Sequence, residues 1–157
     1  MKVKGFKPIF NSESEILILG SFPSVKSRQT DFYYGNKQNG FWKVLSKVYN
    51  VPLLEVDAKT ECLLSNNIAL WDIVAECEID GSMDKDVKNP KFANLKKVLP
   101  PNTKVKKILC NGKLSYNLTC EYLQKFNINI PCICMPSTSP ANVRFNEQVW
   151  ISQLLDN

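Results

Sequence analysis

The sequence predicts an α/β fold, a three-layer α/β/α sandwich around a short, mainly parallel four-stranded sheet. Three observations carry that expectation. Four short apolar runs, 16–20, 68–71, 105–110 and 128–135, are followed by turn-forming or polar residues. Segments with helical apolar spacing lie between them. The runs are continuous rather than alternating, as in strands buried on both faces, and such strands alternating with helices build a parallel sheet with helices on both sides. At 157 residues the chain suits a single domain, 1–157, large enough for a real core.

Residues 1–14 read as an extended leading segment, with Asn11-Ser12-Glu13-Ser14 as a turn before the strand Ile16–Gly20. A loop from Gly20 to Gly40 follows, rich in Gly, Pro, Ser and Asn and carrying Phe22, Phe32, Tyr33 and Tyr34. Loops this long without periodicity are functional or disordered, and four rings argue against disorder. A helix over 40–49 places Phe41, Trp42, Leu45, Val48 and Tyr49 at helical spacing, and Pro52 lies just beyond its end. A second helix is predicted over 57–64, then the strand 68–71 with Asp72 at its carboxyl end and Trp71 as core. The mixed-charge stretch 76–90 reads as a surface loop. Phe92, Leu95, Val98 and Leu99 share one face of a short helix that Pro100-Pro101 stops. The strand 105–110 turns at Asn111-Gly112 into a helix over 113–126, with Leu114, Leu118, Tyr122 and Leu123 inward. The strand 128–135, the polar loop 136–142 and a helix over 146–155, with Val149, Trp150 and Leu154 inward, complete the chain.

Composition narrows the chemistry. The chain has no histidine, which excludes Ser-His-Asp and Cys-His nucleophile systems and histidine-ligated metals. The six cysteines form no CxxC pair and read as reduced, mostly buried thiols. Cys132 and Cys134 form a CxC that no further ligand cluster completes, so no metal site is expected. The net charge of +5 is compatible with a nucleic-acid partner without demanding one. No GxGxxG or P-loop pattern points to a nucleotide cofactor, and none is expected. No apolar run approaches the roughly 20 residues that span a bilayer, so no membrane role is expected.

Two loops leave strand ends and carry chemically active groups, 21–39 and 136–142. A doubly wound sheet brings such loops together over its carboxyl edge. Asn39 stands before Gly40 and the helix, where it is either an N-cap or a catalytic amide. Asp72 at its strand end either activates water or bonds nearby loop amides. Phe22 and Tyr34 are either core rings or a stacking surface.

The run GSFPS at 20–24, followed by YYGNKQNGFWKVL at 33–45, resembles the uracil-DNA glycosylase superfamily, most closely its hypoxanthine-DNA (deoxyinosine) glycosylase branch. ALWDIV at 69–74, GSMD at 81–84, ILCNGK at 108–113 and MPSTSPAN at 135–142 extend the likeness over nearly the whole chain. There are departures. Asn36-Lys37 stands where the branch has His-Pro, Phe22 replaces the Asn of the mismatch-specific branch's Asn-Pro-Gly, and the second motif lacks its histidine.

The resemblance implies a monofunctional glycosylase that hydrolyses the N-glycosidic bond of deaminated bases, deoxyinosine first, without metal or cofactor. It makes Asn39 the residue that positions water, with Asp72 as the alternative. Ser21, Phe22, Pro23 and Ser24 would line the base pocket, backbone amides around this stretch binding the base edge, with Phe22 or Tyr34 stacking on its face. Ser137, Thr138 and Ser139 would offer hydroxyls to phosphates. Pro140, Ala141 and Asn142 would fill the gap left by a flipped nucleotide, and Arg144 would contact DNA. The implied partner is double-stranded DNA with a damaged base, or single-stranded DNA. The expected protein is a monomer, cytoplasmic and nucleoid-associated, or nuclear where there is a nucleus. A mismatch-specific uracil or thymine glycosylase and a non-catalytic DNA-binding module of the same fold are the rival readings.

Overall fold

The computed structural model describes residues 2–79, 87–143 and 145–156. Its centre is a four-stranded parallel sheet of β2 (Ile16–Gly20), β3 (Ile68–Asp72), β6 (Lys107–Asn111) and β7 (Cys132–Met135), in the order β3-β2-β6-β7. In β2, Ile16 to Leu19 are at most 3% exposed. Since successive side chains point to opposite faces, both faces of that strand are covered. The covering helices are α2 (Phe41–Tyr49), α3 (Val56–Ser65), α4 (Lys113–Lys125) and α5 (Glu147–Leu155). Among the described residues no helix is long and apolar enough to cross a membrane.

The strand order places the site. From β2 the chain moves to β3 on one side, then crosses to β6 on the other. The loops leaving β2 and β6 therefore diverge, and a crevice opens between them at the carboxyl edge.

A second sheet departs from the sequence reading. The stretch expected as a surface loop contains β4 (Val74–Ile79), which pairs antiparallel with β5 (Val87–Phe92) and with β1 (Lys2–Lys4) from the leading segment. The charges that suggest a loop are cross-strand partners: Lys2 and Lys4 face Glu78 and Glu76, which face Lys88 and Lys91. Pro90 is tolerated because β5 is an edge strand. Phe92 thus belongs to a strand, and the expected short helix contracts to a 3-10 turn at Leu95–Lys97. β6 and β7 begin later than expected, at Lys107 and Cys132.

Helix faces also differ in part. α4 buries Ser115, Thr119, Tyr122 and Leu123, whereas Leu114 and Leu118 are only partly covered. Its small polar residues allow close approach, and the Ser115 hydroxyl donates to the Leu19 carbonyl at 2.6 Å. On α5, Trp150 and Leu154 are buried while Val149 is 37% exposed. Of the cysteines, Cys62, Cys77 and Cys110 are buried, Cys120 and Cys132 are half-buried, and Cys134 is exposed.

Each tryptophan closes a different segment onto the core. Trp42 donates its indole N–H to the Tyr33 carbonyl at 2.8 Å, Trp71 to Phe6 at 2.9 Å and Trp150 to Pro136 at 2.8 Å. A buried indole needs such an acceptor.

Candidate active site

A cavity of about 420 Å³ opens over the carboxyl ends of β2, β3 and β6. The first loop contributes Ser21, Phe22, Pro23, Ser24, Tyr34 and Asn39 to its wall. β3 contributes Asp72, and the loop after β7 contributes Ser137, Thr138, Ser139, Pro140, Ala141 and Asn142. Every site residue expected from the sequence is thus brought to one cavity except Arg144, which lies outside the described residues, as does the GSMD stretch at 81–84.

The first loop is not structureless. It contains α1 (Val25–Thr30), capped by the Ser24 hydroxyl, which accepts from the Ser27 N–H at 3.2 Å. Ser27 is 3% exposed and its hydroxyl oxygen accepts from Gly35 N–H at 3.1 Å, so α1 braces the rest of the loop. Beyond it a train of rings runs into α2. Phe32 stacks on Trp42 at 5.9 Å, Tyr34 lies 4.3 Å from Phe41, and Phe41 meets Trp150 edge-on at 6.0 Å. Tyr34 sits at φ 52°, uncommon for a bulky side chain and sustained by this packing.

Asn39 stands half-buried where the loop enters α2. Its Oδ1 accepts from Phe41 N–H at 2.9 Å, a turn two residues long that fixes which way the amide points, while the N-cap of α2 is Gly40 rather than Asn39. Gly40 donates its N–H to the Thr138 carbonyl at 3.0 Å and ties the first loop to the second.

Asp72 stands at the end of β3 on the cavity wall. It is 4% exposed, and among the described residues Oδ2 is buried without a hydrogen-bond partner. Burial pushes its carboxyl up to about 7. A Cβ on Gly20 would come within 2.4 Å of Asp72 Oδ1 and 2.7 Å of the Tyr34 hydroxyl, so only glycine leaves room for this carboxyl. The Tyr33 phenol, which donates to the Lys7 carbonyl, is held far above its ordinary range, first by burial and then by Asp72 and Tyr34.

The second loop is clasped by a residue the sequence reading took only for a turn. Asn111, 9% exposed at the end of β6, donates from Nδ2 to Thr138 Oγ1 and accepts from Thr138 N–H through Oδ1, both at 2.9 Å. Thr138 is 3% exposed, so its hydroxyl serves this clasp and is not presented to phosphate. The Ser137 and Ser139 hydroxyls accept from the N–H groups of Ser139 and Ala141, both at 3.2 Å. Asn142 closes the turn by donating to the Ser137 carbonyl at 2.9 Å. Gly112, at φ 98°, lets α4 start against Ser137. Pro140 and Ala141 are left exposed, and Val143 beside them is 92% exposed. The sequence reading also missed Lys26, Ser27 and Asn36 on the cavity wall. The signal for α1 was Ser24 standing before a helix-compatible run.

Among the described residues no group of three or more His, Cys, Asp or Glu side chains could hold a metal ion. The arrangement can enclose one planar ring, with polar groups at its floor and two loops at its mouth.

Comparison with known proteins agrees with this geometry. Residues 8–154 match the family described as the Uracil DNA glycosylase superfamily. A hypoxanthine DNA glycosylase of Methanosarcina barkeri is 35% identical over 119 residues, 73% of this chain and 74% of that protein. One from Methanosarcina acetivorans is 32% identical over 149 residues, 92% of this chain and 90% of that protein. A solution NMR structure of a Methanosarcina acetivorans protein, proposed to be a uracil DNA glycosylase, superposes with a TM-score of 0.81 at 30% identity, covering 98% of this chain and 97% of that one. The chain belongs to the uracil DNA glycosylase superfamily.

Proposed function

We infer that this protein is a monofunctional glycosylase that hydrolyses the N-glycosidic bond of a deaminated base in DNA, hypoxanthine first. The observation that carries the reading is the cavity at the sheet's carboxyl edge with Pro140, Ala141 and Val143 exposed on the turn beside its mouth. An enzyme that acts on a base must draw it out of the stack, which takes a few kcal/mol and is easiest at a mispaired or damaged base. That turn fills the gap this leaves, and Phe22 or Tyr34 offers a ring to the extruded base, worth about 1–3 kcal/mol per base. The names of the Methanosarcina relatives favour the hypoxanthine branch.

Bond breaking builds positive charge on the sugar and negative charge on the departing base. Asn39 holds the attacking water through the Oδ1 lone pair not used by Phe41 N–H. The amino end of α2, starting at Phe41, adds partial positive charge that favours the anionic base. Hypoxanthine and uracil are tolerable anions, so no histidine is needed. The partner is duplex DNA bound by a monomer.

End-labelled duplexes carrying a single deoxyinosine, uracil or xanthine, cleaved with alkali after incubation, test the activity. Abasic product foremost from deoxyinosine supports the reading. Uracil-dominant product moves the protein to the mismatch-specific branch, and duplex binding with no product from any of them overturns it. Strand nicking without added alkali refutes the monofunctional mechanism. Asn39→Ser and Asn39→Ala both lower kcat by about 100-fold or more if the amide holds water. Near wild-type turnover in the serine variant leaves Asn39 with a structural role only.

A further inference from the structure

We propose that Cys110 and Cys132 form an oxidation site: a small organic disulfide or a hydroperoxide closes them into a disulfide bond, and that bond loosens the clasp holding the second loop. Neither residue lines the cavity. The linkage stands apart from the glycosylase reading, and only its effect on base release rests on that reading.

The geometry brings the two sulfurs to 3.3 Å. They belong to neighbouring parallel strands. Cys110 of β6 stands abreast of Cys134 on β7, and Cys132 lies one side-chain repeat earlier on the same face of β7. Both are free thiols. A disulfide needs about 2.05 Å between its sulfurs, so closure draws them together by roughly 1.3 Å. Among the described residues no group of three or more metal-ligating side chains forms around them. The chemistry such a pair can do is therefore thiol oxidation.

Access and activation are divided between the two residues. Cys110 is fully buried, whereas Cys132 is half-buried on the edge strand β7, so a small oxidant meets Cys132 first. Thr119 of α4 is also fully buried, and among the described residues its hydroxyl has no hydrogen-bond partner. It faces Cys110 together with Ser115, whose own proton goes to the Leu19 carbonyl. An orphan donor is satisfied once the sulfur beside it carries charge. The contact with Cys132 holds the Cys110 thiol below its ordinary range, and the same contact, with burial, holds Cys132 above its own. The pair gives up one proton readily and shares the other. With an organic disulfide, Cys132 passes its proton to Cys110 and attacks one sulfur of the reagent, releasing the first thiolate. Cys110 then loses its proton, attacks Cys132 and releases the second. The protein gives up two protons and two electrons, and the reagent leaves as two thiols. A hydroperoxide instead converts Cys132 to the sulfenic acid, leaving as the alcohol or as water, and Cys110 displaces water from that sulfur.

The position couples the bond to the second loop. Asn111 follows Cys110 directly and stands abreast of Met135, the last residue of β7. Its amide makes both bonds to Thr138, each at 2.9 Å. Because the Cys110–Cys132 link runs diagonally, shortening it slides β7 towards the carboxyl end of β6 and carries Thr138 outward past Asn111. Directional bonds weaken steeply under such a shift.

The test treats the full chain with hydroxyethyl disulfide or with hydrogen peroxide and maps the links by mass spectrometry of an unreduced digest. A Cys110–Cys132 link is expected, reversed by dithiothreitol. Amide exchange at Thr138, whose N–H bonds to Asn111 Oδ1, should accelerate by about tenfold or more on closure. Base release from a deoxyinosine duplex should fall with it. Cys132→Ser should show neither change on oxidation, while Cys120→Ser and Cys134→Ser stay sensitive. Thr119→Val should slow closure several-fold without changing which residues join. Cys132 joined instead to Cys120 or Cys134, or a thiol count unchanged by both reagents, would overturn the site. A mapped Cys110–Cys132 bond with unaltered exchange at Thr138 would overturn its coupling to the loop. A wild type inactive on deoxyinosine, uracil and xanthine sinks the glycosylase reading alone, since the link map and the exchange rate need no turnover.

Discussion

The first loop, 21–39, is packed from behind by rings, whereas the second, 136–142, is tied by hydrogen bonds, many of them within itself. Tyr34, Phe41, Trp42 and Trp150 form a continuous set of aromatic contacts under the first loop. Each such pair is worth about 0.5–1.5 kcal/mol beyond the area it buries. Under the second loop the contacts are Asn111 to Thr138 and the chain of bonds from Ser137 to Asn142. Each contributes about 0.5–1.5 kcal/mol net, but leaving one partner unpaired costs more. Ring packing gives the cavity a fixed wall that salt does not loosen. Directional bonds hold a short turn in one shape while leaving its tip free to meet another surface.

The largest effect is expected on the packed side. Phe41→Ala removes a fully buried ring that touches Tyr34, Trp42 and Trp150, and urea unfolding should show a loss of about 3–5 kcal/mol. A loss under 1 kcal/mol would mean the rings do not hold the loop. Thr138→Val should cost about 1–3 kcal/mol, because Asn111 Nδ2 is left buried without its acceptor. Its sharper mark is on activity, since the tie from Gly40 N–H to the Thr138 carbonyl shifts with the loop. Base release that falls no more than stability does would reduce Asn111 to an ordinary clasp. The smallest change in stability belongs to Val143→Ser, within about 0.5 kcal/mol at this exposed site. If the tip enters DNA, duplex affinity should still drop several-fold in a binding titration.

The parts of the fold legible in sequence are those whose burial is local. Ile16–Gly20 and Ile68–Asp72 are covered on both faces, so their apolar runs are unbroken. The β4–β5 pair is different: one face carries Glu76, Glu78, Lys88 and Lys91, whose meaning appears only when the strands are paired with each other and with β1. α1 is short and polar with Ser27 as its buried residue, so it has no apolar stripe to read. In the site, Asn39 and Asp72 were visible because they stand at element ends. Asn111 stands at one too, but its turn signal with Gly112 masked it. Its partner Thr138 lies 27 residues away, and no local pattern joins them.

The three tryptophans give the molecule a built-in optical readout. Each indole is at most 7% exposed and reports on a different carbonyl, that of Tyr33, Phe6 or Pro136. Variants keeping one indole, with phenylalanine at the other two positions, should emit at short wavelength, as rings shielded from water do. Closure of the second loop on a ligand would then change the emission of Trp150 apart from that of Trp42. Movement of either wall could be timed separately in one stopped-flow trace per variant.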